Sequence, residues 1–123
     1  MKRPQVTLKL ATSLDGRIAT GAGESRWITG EAARAEVQKL RAAHDAVLIG
    51  SGTARADDPE LLARTTPPPL RQPVRVVLDT EFSLAPLGRL FATLDRATLL
   101  VIGAGDGDEA RRKALEDAGA RTA

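Results

Sequence analysis

Val6, Leu8 and Leu10 alternate with Thr7, Lys9 and Ala11. That period of two predicts a half-buried strand over Val6 to Ala11, with Lys9 on its polar face. Ser13 to Ile28 reads as a loop, with glycine at 16, 21 and 23. Thr29 is placed to cap a helix over Glu31 to Ala43, whose Ala33, Val37, Leu40 and His44 share a face. Ala46-Val47-Leu48-Ile49 is continuously apolar and predicts a strand buried on both sides. A strand, a helix and a second strand together make a crossover unit, right-handed by strong default.

Beyond Gly50-Ser51-Gly52-Thr53, read as a turn, the pattern predicts a short helical stretch and loop from Ala54 to Arg64. Thr66 to Pro73 contains four prolines and cannot be regular structure; it could serve as a linker, but eight residues between two elements read better as a surface loop. Val74 to Asp79 and Thr98 to Ile102 read as strands, and Glu81 to Asp95 as irregular or weakly helical. A helix over Asp108 to Ala118 is predicted, with Ala110, Ala114, Leu115 and Ala118 as its inner stripe. Glu109/Lys113 and Arg112/Glu116 should pair at i,i+4, and Gly119 suits the position just past the helix. Only four residues remain after Gly119, so the next strand can begin but hardly be completed. The expected fold class is α/β, a mostly parallel sheet flanked by helices and truncated at the C-terminus.

Composition removes several functions. The chain has 123 residues, no cysteine and one histidine, His44, which excludes disulfides, thiolate metal sites and a zinc-deaminase centre of the Cys-x-x-Cys type. The net charge is +2, with both signs spread evenly over the two halves, and there are one Trp, two Phe and no Tyr. That leaves neither a basic patch nor a stacking surface for nucleic acid. No apolar run approaches the about 18 residues of a membrane span, and no apolar signal region comes after Met1, so a cytoplasmic protein is expected.

Candidate chemistry is scattered. Position alone favours a solvated Lys9; if its face lines a cleft, the ammonium can donate to a ligand oxygen. Gly50 to Thr53 comes directly after a buried strand, where either a tight turn or a phosphate cradle would use glycine. The third glycine of the dinucleotide fingerprint is missing, since Arg55 stands there. Asp57-Asp58 before Pro59 would cap a turn, or place one carboxylate in a cleft. Gly103 to Gly107 precedes Asp108, which reads as a plain helix cap. Trp27 is a core residue or a stacking surface beside a cofactor ring.

Taken in order, Lys9-Leu10-Ala11-Thr12-Ser13-Leu14-Asp15-Gly16-Arg17, Gly23-Glu24-Ser25-Arg26-Trp27-Ile28-Thr29, Arg41 and Gly52-Thr53-Ala54-Arg55-Ala56-Asp57-Asp58-Pro59-Glu60-Leu61 resemble one family closely. It is the reductase domain of the bifunctional riboflavin-biosynthesis deaminase/reductase. Pro73-Val74-Arg75-Val76-Val77-Leu78-Asp79 matches its next strand, and the likeness is looser past residue 80.

The resemblance implies a dihydrofolate-reductase-like fold and transfer of hydride from NADPH to ribose C1 of 5-amino-6-(5-phosphoribosylamino)uracil. Ala11, Trp27, Thr53, Asp57 and Thr80 fall where the family contacts NADP. Ser25, Arg41, Leu61 and Arg64 fall where it contacts the pyrimidine nucleotide, with Arg41 and Arg64 suited to a phosphate. Lys9 and Asp57 match residues that reach the ribose, which makes them candidate catalytic residues. No metal is implied.

The deaminase domain and the family's second half, with its Val-Glu-Gly-Gly-like segment, have no counterpart here. Residues 1–123 are therefore expected to be the N-terminal part of one pyrimidine reductase domain, dimeric when complete and inactive alone. The competing readings are a paralogue acting on another pyrimidine or pterin-like compound, and a non-catalytic nucleotide-binding module.

Overall fold

A computed structural model describes residues 2–12, 14, 16 and 30–123. The chain divides into two compact units, Met1–Glu36 and Val37–Ala123. In chain order the elements are α1 (Glu31–Ala43), β1 (Ala46–Gly50), α2 (Ser51–Asp57), β2 (Val74–Leu78), α3 (Arg89–Ala92), β3 (Leu99–Ile102), α4 (Glu109–Asp117) and β4 (Arg121–Thr122).

In the first unit the expected strand does not form. Residues 6–11 have no regular secondary structure, and Val6 and Leu8 are 82% and 80% exposed. Alternation specifies which side chains would share a face; it does not by itself make a strand. The sheet's four strands all come from residues 46–122. Helix α1 matches its predicted span, yet none of its residues is buried. The expected cap, Thr29, lies outside the described residues, as do Ser25 and Trp27.

The second unit is a four-stranded sheet in the order β1-β2-β3-β4, with every neighbouring pair parallel. Each crossover carries one helix, the arrangement parallel pairing requires. Ala54 of α2, Leu90 of α3 and Leu115 of α4 join Val77, Leu99 and Val101 of the central strands in one core. These inward residues are odd-numbered in the strands, and the opposite face leaves Leu48 58% and Leu78 45% exposed. As an edge strand, β1 is therefore only half covered, not buried on both faces as its apolar run suggests.

Two buried residues staple this core. Arg75, the second residue of β2, is fully buried and donates to the carbonyls of Glu60 (3.1 Å), Thr93 (3.3 Å) and Ala97 (2.6 Å) and to the Thr93 hydroxyl (2.6 Å). Burial lowers its pKa, while Glu60 and Asp95 push it back up. Phe82 sits at φ 52 with its ring against Gly103 and Gly107. A Cβ on Gly107 would lie 2.7 Å from the ring, so these glycines make room for an aromatic ring.

Helix α4 buries Leu115 but leaves Ala110, Ala114 and Ala118 exposed, because Arg112 rather than an alanine packs toward the core, 5.8 Å from the Phe82 ring centroid. Arg112 pairs with both Glu109 (3.7 Å) and Glu116 (3.4 Å), so Lys113 turns instead to Asp117 (3.3 Å). The helix ends as predicted. Gly119 has φ 108, its N–H donates to the Glu116 carbonyl, and Ala120 N–H donates to that of Leu115, a Schellman motif. The chain then enters β4, where Arg121 and Thr122 pair with Leu100 and Val101.

Candidate active site

Parallel pairing brings the carboxyl ends of the strands to one edge. Gly50 lies opposite Leu78, and Leu78 opposite Ile102. Three segments emerge there and define the edge: α2 after β1, Asp79-Thr80 after β2, and Gly103 to Asp108 after β3. The expected turn at Gly50 to Thr53 is instead the direct entry into α2, with Gly50 extended (φ −85, ψ 163) as its N-cap. Neither Gly50 nor Gly52 has a left-handed backbone, and a Cβ on either would meet nothing within 4 Å. Their own fold does not require glycine there. The space in front of them is open.

Thr53 and Thr80 are both exposed at this edge. The Thr80 carbonyl accepts from Ala104 N–H (2.9 Å), which ties the second and third loops together. Thr80 also borders an open depression of about 550 Å³, lined further by Glu81, Asp106, Gly107, Asp108 and Arg111. Asp108 caps α4 by accepting from Arg111 N–H at 3.0 Å. A second depression, of about 490 Å³, lies by the proline-rich loop at the amino-end edge and holds none of the candidate site residues.

The adjacent carboxylates divide their roles. Asp58 ends α2 in the left-handed region (φ 42) and accepts from the Arg89 N–H at 2.9 Å, so it pins the start of α3. Gly88 must be glycine beside it: its φ is 96, and a Cβ would come within 2.6 Å of the Asp58 Oδ1. Asp57 is exposed, and no hydrogen bond or ion pair engages its carboxylate among the described residues.

Arg41 and Arg64 share a neighbourhood. Arg41 donates to the Leu62 carbonyl at 3.3 Å. Burial lowers its pKa, and the positive charge of Arg64 lowers it further. Arg64 is held by its backbone N–H on the Gln38 Oε1 (2.8 Å) and weakly by Glu60 (3.5 Å), leaving an exposed guanidinium. Two cations whose charges reach each other favour an anion between or beside them. Leu61, by contrast, is buried in the core at φ 58. Lys9 and Ala11 lie in the first unit, Lys9 exposed and Ala11 half-buried.

Asp79, Ser83 and Arg55 organise this edge without having been read as site residues, while Arg75 staples the core toward the amino ends of the strands. The clearest signal was an arginine within an otherwise apolar strand, Val74-Arg75-Val76-Val77. Among the described residues, no group of three His, Cys, Asp or Glu could hold a metal, and no helix is long and apolar enough to cross a membrane.

This is an open parallel α/β domain with Thr53 and Thr80 exposed beyond the carboxyl ends of its strands, where the class binds its ligands. The chain belongs to the RibD C-terminal domain family, whose model matches residues 4–119. It is 52% identical over 81 residues to the riboflavin biosynthesis protein RibD of Bacillus amyloliquefaciens, covering 66% of this chain and 22% of that protein. With RibD of Aquifex aeolicus it shares 39% identity over 111 residues, covering 90% of this chain and 31% of the relative.

A structure of Acinetobacter baumannii RibD superposes with a TM-score of 0.76 at 36% identity, covering 93% of this chain and 31% of that one. The Thermotoga maritima diaminohydroxyphosphoribosylaminopyrimidine deaminase/5-amino-6-(5-phosphoribosylamino)uracil reductase superposes with a TM-score of 0.71 at 32% identity, covering 93% and 30%. The fold is thus the dihydrofolate-reductase-like one expected. The chain spans between about a fifth and a third of the length of these relatives.

Proposed function

We propose that this chain is the cofactor-facing and phosphate-facing part of a pyrimidine reductase domain, one that reduces the ribose of 5-amino-6-(5-phosphoribosylamino)uracil with NADPH. The observation that carries the reading is the layout of the carboxyl edge. Thr53 and Thr80 stand exposed there, open space lies in front of Gly50 and Gly52, and Asp57 is left unengaged while Asp58 serves the fold.

The residues fit a nicotinamide dinucleotide: two hydroxyls can bond its sugar and phosphate oxygens, and two glycines let it approach the backbone closely. When bound, the reduced nicotinamide supplies the hydride. Thr53 and Thr80 orient that ligand, and Ala11 and Trp27 are assigned to it by family position. Arg41 and Arg64 take the substrate phosphate, and Ser25 and the Leu61 backbone contact the pyrimidine nucleotide.

Converting a ribosylamine to a ribitylamine breaks the bond from C1 to the ring oxygen, adds hydride to C1 and adds a proton to that oxygen. The ammonium of Lys9 is the group suited to give the proton, and the Asp57 carboxylate to accept a hydrogen bond from a ribose hydroxyl. The catalytic assignments are these two. Residues 1–123 form the N-terminal part of the domain, and the complete domain works as a homodimer.

The test joins this segment to the second half of a RibD reductase domain and follows NADPH loss with the ribosylamino-uracil present. Turnover that Asp57→Asn abolishes supports the reading. Turnover with a different pyrimidine, and none with this one, would move the function to a paralogous reductase.

A further inference from the structure

We propose that Arg55 is a positioning residue that locks the two cofactor-facing segments, α2 and the loop after β2, into one unit. This rests on the reading above that Thr53 and Thr80 hold the cofactor. Arg55 lies one turn along α2 from Ser51, and the two bracket Thr53. Its guanidinium donates to the Ser51 hydroxyl at 3.3 Å and to the Ser83 hydroxyl at 2.9 Å. Ser83 in turn donates to Oδ1 of Asp79 at 2.9 Å, while Oδ2 of Asp79 accepts from Leu84 N–H at 2.7 Å.

Asp79 is buried and immediately precedes Thr80. An unbroken chain of hydrogen bonds therefore runs from the residues flanking Thr53 to the residue beside Thr80. The β1–β2 ladder ends at Gly50 and Leu78, before either threonine, and beyond it Ala54 of α2 shares the core with Phe82 and Leu84 of the loop after β2; the relay is the polar link between the two segments. Nothing in the core needs an arginine at 55: the side chain is exposed, and its neighbour Ala54 makes the apolar contact. The glycine that a dinucleotide fingerprint would have at this place is thus replaced by a residue that fixes the separation of two ligand-binding hydroxyls.

The relay can be cut at either end. In Arg55→Met and in Ser83→Ala, amide hydrogen exchange should rise together over residues 50–57 and 78–84, by roughly three- to tenfold, the worth of about one hydrogen bond. The double variant should exchange no faster than either single one, because both remove the same link. Arg55→Lys, keeping one donor, should recover part of the protection, and Lys113→Met on α4 should leave both segments unchanged.

In the joined reductase, Arg55→Met should raise KM for NADPH roughly tenfold and change kcat and the pyrimidine KM by less than about twofold. Exchange that rises only over residues 50–57, or single effects that multiply in the double variant, would overturn the coupling. An unchanged KM for NADPH would overturn its role in cofactor positioning. If the unsubstituted reductase shows no NADPH-dependent turnover, the functional reading falls, and the exchange pattern still decides whether Arg55 couples the segments.

Discussion

Exchanging the roles of two neighbouring carboxylates is the sharpest perturbation this fold offers. Asp58→Ala removes the acceptor that holds Arg89 N–H at 2.9 Å, the equivalent of losing a helix cap, about 0.5–2 kcal/mol. It also asks alanine to adopt φ 42, where an L-residue with a Cβ is strained by about 1–2 kcal/mol more than aspartate or asparagine tolerates. Together about 1.5–4 kcal/mol of stability should go. Asp57→Asn touches no hydrogen bond or ion pair among the described residues and should shift stability by less than about 0.5 kcal/mol. Denaturant unfolding of the two variants measures both numbers, and NADPH turnover in the joined reductase measures the other half: Asp57→Asn stable and inactive, Asp58→Ala destabilised but active once folded. Equal loss of stability in the two would refute the division of labour, as would an active Asp57→Asn.

Arg41→Ala or Arg64→Ala should raise KM for the phosphorylated pyrimidine by roughly tenfold or more while leaving that for NADPH within about twofold, since a charge-assisted contact to phosphate is lost; equal effects on both would make the arginines structural. Gly119→Ala should cost about 1–2 kcal/mol in thermal or denaturant unfolding, because φ is 108 and the new Cβ would come within 2.8 Å of Leu94 Cδ1; a neutral result would mean that Leu94 moves freely. The 123-residue chain alone should oxidise almost no NADPH with substrate present, because hydride transfer needs the reacting carbons within about 3–3.5 Å. Robust turnover by the isolated chain would mean that residues assigned only to the fold complete the site.

Where local rules decide, the sequence was a good guide. Helix α1 spans the predicted residues, β2, β3 and α4 fall within a residue or two of expectation, and Gly119 and Asp108 cap as their chemistry dictates. Where pairing or packing decides, it was not. Val6 to Ala11 alternates as a strand would yet has no regular secondary structure, and the apolar run of β1 sits at an edge. On α4 an arginine over Phe82 displaced the alanine stripe, a contact set by a residue far away in the chain.

The candidate site was legible only in part for the same reason. Which of Asp57 and Asp58 is free depends on Arg89, and the glycines at 103 and 107 answer to Phe82 rather than to a phosphate. Composition could not reveal that Arg55, standing where a dinucleotide fingerprint has glycine, links α2 to Asp79 through Ser83.

Within the Val37–Ala123 unit, the carboxyl edge of the sheet is the face assigned to the nicotinamide cofactor, to the exclusion of the amino-end edge. Backbone amide NMR of the 123-residue chain titrated with NADPH to millimolar concentration tests this directly, because weak binding still moves the resonances of the residues it touches. The largest shifts should fall on Gly52, Thr53 and Thr80, with Leu70 to Gln72 at the opposite edge unmoved. Shifts centred on Leu70 to Gln72, or none anywhere at that concentration, would put the cofactor elsewhere and overturn the assignment.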